Sequence, residues 1–163
     1  MTLLVRQATE ADLPRLLPMM LDFNRLEAIP WTFERGEKAL RNLLGNNELG
    51  YVGLAEVDEA TSGYFVLTFG YDLEWDGRDA FLTELYLRPE ARGGGLGRLL
   101  LKAAEDTALS RGARALHLMV RPENAPALAL YLKVGFREPP RRLLTKPLGG
   151  EPGSLDAGGQ TRR

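Results

Sequence analysis

Phe81-Leu82-Thr83-Glu84-Leu85-Tyr86-Leu87-Arg88-Pro89-Glu90-Ala91-Arg92-Gly93-Gly94-Gly95-Leu96-Gly97-Arg98 passes from an apolar run, through a proline, into four glycines within five positions. Phe81 to Leu87 reads as a strand that Pro89 stops. The residues after the glycines repeat at helical spacing: Leu96, Leu99, Leu100, Ala103 and Thr107 form one stripe, with Arg98, Lys102, Glu105 and Asp106 mostly on other faces. Gly112 suits the end of that helix. A glycine loop that opens a helix is a candidate anion site. The first helical turn has free N–H groups and the positive end of the dipole, and glycine lets such a backbone come close to phosphate oxygens. Arg92 can add a cation. A Walker A loop fails here, because Arg98-Leu99 follow Gly97 where lysine and serine or threonine are needed. A G-x-G-x-x-G fingerprint also fails, since it would need glycine at Arg98 or Leu100. The plain alternative is a surface turn without a ligand, which one or two glycines would serve.

Upstream, Leu3 to Gln7 predicts a first strand. Thr9, with Asp12 three residues on, resembles a capping box, and Leu13, Leu16, Leu17, Met20 and Leu21 follow as a helical stripe. Pro14 is tolerated in the first turn. Pro30 breaks the pattern, Thr32 caps a second helix to about Leu44, and Gly45-Asn46-Asn47 ends it. Trp31 is expected to pack under these helices. Tyr51 to Val57 and Tyr64 to Phe69 are two strands joined by a polar hairpin turn from Asp58 to Gly63, and Asp72 to Asp79 is a charged loop. Downstream, Ala115 to Val120 is a strand, Ala125 to Val134 a helix, and Phe136 begins a last strand region, with one more strand at Arg142 to Lys146. The order is an α/β mixture around a mixed sheet. The region 1–148 is expected to form one domain, and the tail 149–163, rich in glycine and polar residues, to be disordered.

Val120 to Phe136 contains Asn124-x-x-Ala127-x-x-x-Tyr131-x-x-x-Gly135-Phe136. Asn124 is a natural N-cap, and capping alone accounts for it; Tyr131 alone reads equally as a core aromatic with its hydroxyl at the surface. That pattern, downstream of the Arg92 to Gly97 loop and of the strand Leu82 to Arg92, resembles the GNAT superfamily of acetyltransferases over roughly Leu3 to Pro147. The resemblance implies a mostly antiparallel central sheet flanked by helices and acetyl-CoA as acyl donor. It implies that the backbone of Leu85, Tyr86 and Leu87 pairs with the pantetheine arm. It further implies that the backbone of Gly93, Gly94, Gly95, Leu96, Gly97 and Arg98 holds the pyrophosphate, that Asn124 lines the cofactor cleft, and that Tyr131 is the general acid. An alkylamine acceptor is mostly protonated at neutral pH, so a base must act. Glu84 is the candidate; the competing reading is a strand carboxylate paired with an arginine. Ribosomal-protein alanine acetyltransferases carry a glutamate where this chain has Met119, and polyamine acetyltransferases have two adjacent acids where it has Thr83-Glu84.

The stretch Gly63 to Asp76 resembles the matching strand and loop of diamine acetyltransferases. Asp72, Glu74 and Trp75 are candidate acceptor-binding residues, through charge complementarity and cation–π contact. Asp22 and Glu27 are weaker candidates. The expected acceptor is a small cationic amine: a polyamine, a lysine-like amino acid or an aminoglycoside. The alternatives are a protein N-terminal or lysine acetyltransferase, and a non-enzymatic acyl-CoA sensor. The chain has 163 residues, a net charge of −1, one histidine and no cysteine. That balance gives no sign of nucleic acid or an anionic membrane as partner, and leaves no cysteine nucleophile, thiolate zinc site or disulfide; no metal is expected. No signal-peptide pattern or apolar run of ~20 residues is seen, so a cytoplasmic location is expected. A homodimer is a weak expectation by analogy.

Overall fold

The computed structural model describes residues 2–149. Five strands lie in the order β1-β2-β3-β4-β5: β1 Leu3–Gln7, β2 Gly50–Val57, β3 Ala60–Asp72, β4 Gly77–Leu87 and β5 Leu116–Leu118. The first four pair antiparallel, and β5 joins β4 in parallel. Four α-helices complete the fold: α1 Leu13–Leu26, α2 Phe33–Leu44, α3 Leu96–Ser110 and α4 Ala125–Lys133. The sheet is mixed and mostly antiparallel, as expected. None of the helices among the described residues is long and apolar enough to cross a membrane.

Each face of the sheet has its own core because alternate strand residues point to opposite faces. On one face, Leu13, Leu16, Met19 and Met20 of α1 and Leu40 of α2 pack on Val52, Leu54, Tyr64, Val66 and Tyr86. On the other, Leu100, Leu101, Ala104 and Ala108 of α3 pack on Phe65, Leu67, Ala80 and Leu82, joined by Tyr131, Val134 and Phe136. Thr32 caps α2, its hydroxyl accepting from the Arg35 N–H at 3.3 Å. Trp31 does pack beneath the helices: its ring occupies the space where a Cβ of Gly36 would stand. Asp12, almost fully buried, takes a fork of two bonds from Arg6 at 2.8 Å and joins the start of α1 to β1.

Several expectations need correction, among them the loop Asp72 to Asp79, which narrows to 73–76 because β3 runs to Asp72 and β4 starts at Gly77. The β2–β3 turn is two residues, Asp58 and Glu59, both with positive φ (47° and 69°), and β3 already begins at Ala60. β5 is shorter than Ala115 to Val120, because it leaves β4 after the Leu82–Leu118 pair. No strand forms at Phe136 or at Arg142 to Lys146. Pro139 and Pro140 have no N–H to give to a ladder, and Leu143 and Leu144 project into solvent. The expected disorder of 149–163 lies, from residue 150 on, outside the described residues.

Candidate active site

The parting of β4 and β5 makes the site. Their pairing covers only Ala80–Leu82 against Leu116–Leu118, so from Thr83 onward β4 is paired on its β3 side alone. A free sheet edge presents a row of N–H and C=O groups, and an extended ligand with amides of its own can add to it as a strand does. A cavity of about 400 Å³ opens at this gap. Leu82, Thr83 and Leu85 of β4, Leu118, Met119 and Val120 at the end of β5, and Asn124 and Tyr131 around α4 form part of its wall; Phe23, Glu27 and Ile29 from the end of α1 close it.

Beyond β4 lies the glycine loop. Gly93, Gly94 and Gly95 have φ of 89°, 57° and 84°, a run of left-handed residues that only glycine adopts without strain. Gly95 is the N-cap of α3 and brings no capping side chain. Among the described residues, no acceptor is found for the N–H groups of Gly94, Gly95 and Gly97. The loop therefore aims free donors and the positive helix end at open space, as a pyrophosphate requires. Arg92 turns back: its Nε donates to the Leu87 carbonyl at 3.0 Å, and its guanidinium lies 5.6 Å over the Tyr86 ring.

A model of the acetyltransferase (GNAT) family matches residues 17–136. The chain belongs to this family. It is an N-acetyltransferase by kinship: the thialysine N-epsilon-acetyltransferase of Sus scrofa is 30% identical over 146 residues, 84% of this chain and 85% of the relative. The solved structure of integron cassette protein HFX_CASS3, from the mobile metagenome of Cole Harbour Salt Marsh, is 31% identical and superposes with a TM-score of 0.79, covering 90% of this chain and 91% of the other. The aminoglycoside N-acetyltransferase AAC(6')-Iy, solved in complex with CoA, shares the fold (TM-score 0.77, 16% identity, 91% and 96% covered).

In this GNAT chain the motif residues gather as follows. Tyr131 reaches the cavity wall, with its ring edge-on to Phe136 at 5.8 Å. Burial, and then the negative charge of Glu27, hold its hydroxyl proton more tightly than in a free tyrosine. Asn124 lines the cavity and also caps α4, its Oδ1 accepting from the Ala127 N–H at 3.3 Å. Glu84 does not line the cavity; it meets Tyr64 on the sheet face that packs against α1. Its partner is Tyr64, whose hydroxyl donates to Oε2 at 2.6 Å, and not an arginine. Burial raises its affinity for a proton, and the Tyr64 bond partly offsets that.

The proposed acceptor residues sit elsewhere. Asp72 caps the short turn Leu73–Trp75 by accepting from the Glu74 N–H at 2.8 Å. Glu74 binds Arg141 at 2.6 Å, and Trp75 leans on His117 at 6.2 Å between ring centres. None of the three is in the cavity wall. Glu27, only a weak candidate from sequence, is. It closes the C-terminal end of α1, where Ala28 takes φ 55°, and its carboxylate has no hydrogen bond or ion pair among the described residues. The one sequence signal for it was its place just after an amphipathic helix and before Pro30.

Proposed function

We propose that this chain transfers the acetyl group of acetyl-CoA to the primary amine of a small cationic acceptor in a ternary complex. The observation that carries the reading is the unpaired edge of β4, set between a donor-rich glycine loop and a cavity holding Tyr131. Acetyl-CoA supplies an acetyl thioester. Its phosphates suit the loop Gly93 to Arg98, where the N–H groups of Gly94, Gly95 and Gly97 are free among the described residues and Leu96 leads the helix, and its pantetheine amides suit the edge formed by Leu85, Tyr86 and Leu87. The same edge offers N–H donors to the oxyanion that develops when an amine attacks a thioester. A C–N bond forms and a C–S bond breaks. The thiolate takes the Tyr131 proton, and the amine proton leaves through water to Glu84, whose burial makes it a stronger base than an exposed carboxylate.

The acceptor enters on the α1 side. Glu27 supplies a negative charge there that has no partner among the described residues, and Asp72, Glu74 and Trp75 remain candidates for more distant parts of a longer cation. The Sus scrofa relative acetylates, by its name, a lysine-like amino acid, which agrees with this acceptor class. The test is an acetylation assay over polyamines, lysine-like amino acids, aminoglycosides and basic peptides, read by thiol release. Turnover with small amines is the expected result. Turnover with peptides alone would move the assignment to a protein acetyltransferase, and acetyl-CoA binding without turnover to a sensor.

A further inference from the structure

Tyr64 has no part in the reading above, yet it is the direct partner of the residue that reading makes the base. It lies in β3 opposite Tyr86, and its side chain is completely buried. We propose that Tyr64 is a positioning residue for the Glu84 carboxylate, fixing its orientation and favouring its ionised form through the hydroxyl donated to Oε2 at 2.6 Å. This rests on Glu84 acting as the base.

Packing leaves the tyrosine little freedom. Its ring tilts against Tyr86 at 5.8 Å between centres, and Val52, Leu54 and Val66 share the same core with Met20 of α1 and Leu40 of α2. A hydroxyl held in such a core cannot turn to water, so it has one use: a charged acceptor beside it. A charge-assisted bond of this length is among the strong ones. The phenol also stays protonated. Its burial comes first, and the charge of Glu84 second, in holding the proton far more tightly than usual. It therefore donates across the working pH range and never competes as a base.

The ionisable surroundings of Glu84 are few. Tyr64 faces it from β3 and Tyr86 follows two residues on in β4. From α1, Asp22 Oδ2 accepts from the Tyr86 hydroxyl at 3.4 Å. Arg92 and Arg88 act on Tyr86 from beyond the strand end. Val52 and Leu54 of β2 and Leu40 of α2 pack into this core, and β5 has already left the sheet. Among the described residues no cation pairs with Glu84, and the Tyr64 hydroxyl offsets part of the cost of burying its charge.

The experiment is Tyr64→Phe, which deletes one oxygen and keeps the ring. The variant should remain folded and bind acetyl-CoA as the wild type does. Its amine-acetylation rate should fall at neutral pH by roughly tenfold and recover to within about twofold at the alkaline plateau, because the rising limb moves up. Titration of the side-chain carboxyls by carbon NMR, with Glu84→Gln assigning the signal, should show Glu84 holding its proton to higher pH in Tyr64→Phe. If neither the NMR titration nor the rate profile moves, Tyr64 does not position Glu84. If the titration moves but the rate profile does not, the hydrogen bond stands and Glu84 is not the base. In Glu84→Gln the added Tyr64→Phe change should leave the profile unaltered; a further shift there would show that Tyr64 acts by another route. Should Tyr64→Phe fail to fold, proton NMR of the wild type reads the bond directly: a downfield, slowly exchanging Tyr64 hydroxyl proton that moves upfield in Glu84→Gln supports the proposal, and no shift between the two overturns it.

Discussion

In the proposed reaction Tyr131 and Glu84 take opposite roles, and one cause serves both. Burial makes each keep its proton longer than usual, which leaves the phenol an acid and makes the carboxylate a better base. Tyr131→Phe should lower turnover by about 10²-fold, within the range of general acid catalysis, with acetyl-CoA affinity changed less than about threefold as the ring contacts persist. Unchanged turnover in steady-state kinetics removes Tyr131 as the acid. Glu84 carries a stability cost whose sign can be worked out. Its folded pKa lies above the unfolded value. Well below the unfolded pKa it is protonated in both states and costs nothing as a charge, whereas stability falls as pH rises through that value toward the folded one. Glu84→Gln keeps an oxygen to accept from Tyr64 and removes the charge. Its Tm should therefore exceed that of the wild type at neutral pH, the gap closing below about pH 4. A lower Tm at every pH would show that Glu84 is structural rather than a site kept at the expense of stability.

At the scale of elements, the glycine loop and the parting strands differ in how far local sequence specifies them. A Cβ at Gly95 would meet nothing within 4 Å, yet its φ is 84°. Gly95→Ala thus costs only backbone strain, about 1–2 kcal/mol, and should weaken acetyl-CoA binding as the loop relaxes. Gly97 lies inside α3 without positive φ, its Cβ site 4.0 Å from Leu87. Gly97→Ala should stabilise the fold by about 0.5–1 kcal/mol through helix propensity. Urea denaturation of the two variants checks the contrast, and equal effects would mean the left-handed turn is not imposed on the free protein. Such conformational demands are local, which is why the loop, the Thr32 cap and the Asn124 start of α4 were legible. The early end of β5 was not. Leu118 and Met119 read as one continuous strand, and their divergence is a tertiary event with no local mark. The final strand failed for the converse reason: Arg142 to Lys146 has strand composition, but after Pro139-Pro140 it meets no edge. Glu27 was hard to see because its meeting with Tyr131 joins residues far apart in sequence. The acids at Asp72 and Glu74 were conspicuous by composition, yet they serve a turn and Arg141.

Over the whole molecule, the proposed donor site touches three elements. β4 belongs to the central sheet, α3 packs on one face of it, and α4 has no fully buried residue and follows a three-residue strand. A ligand lying along the open edge of β4, with one end on the start of α3 and its thioester at Tyr131, would bridge all three. Such a ligand binds the folded chain only, because the free edge, the left-handed loop and the cavity exist nowhere in the unfolded ensemble. At acetyl-CoA about 100-fold above its Kd, linkage adds about 2.7 kcal/mol to stability. For a domain of this size that is a rise in Tm of about 5–10 °C, measurable by scanning calorimetry. Desulfo-CoA, which keeps the phosphates and pantetheine amides, should retain most of the rise, since the loop and the edge supply the contacts. A small cationic amine alone should give little, because Glu27 is the one carboxylate among the described residues that line the cavity. Gly95→Ala should shrink the rise for both CoA ligands together, through the shared pyrophosphate contact. If Gly95→Ala leaves it intact, the donor is held elsewhere than at the loop. If acetyl-CoA at millimolar concentration gives no rise in the wild type, the edge of β4 is no donor site.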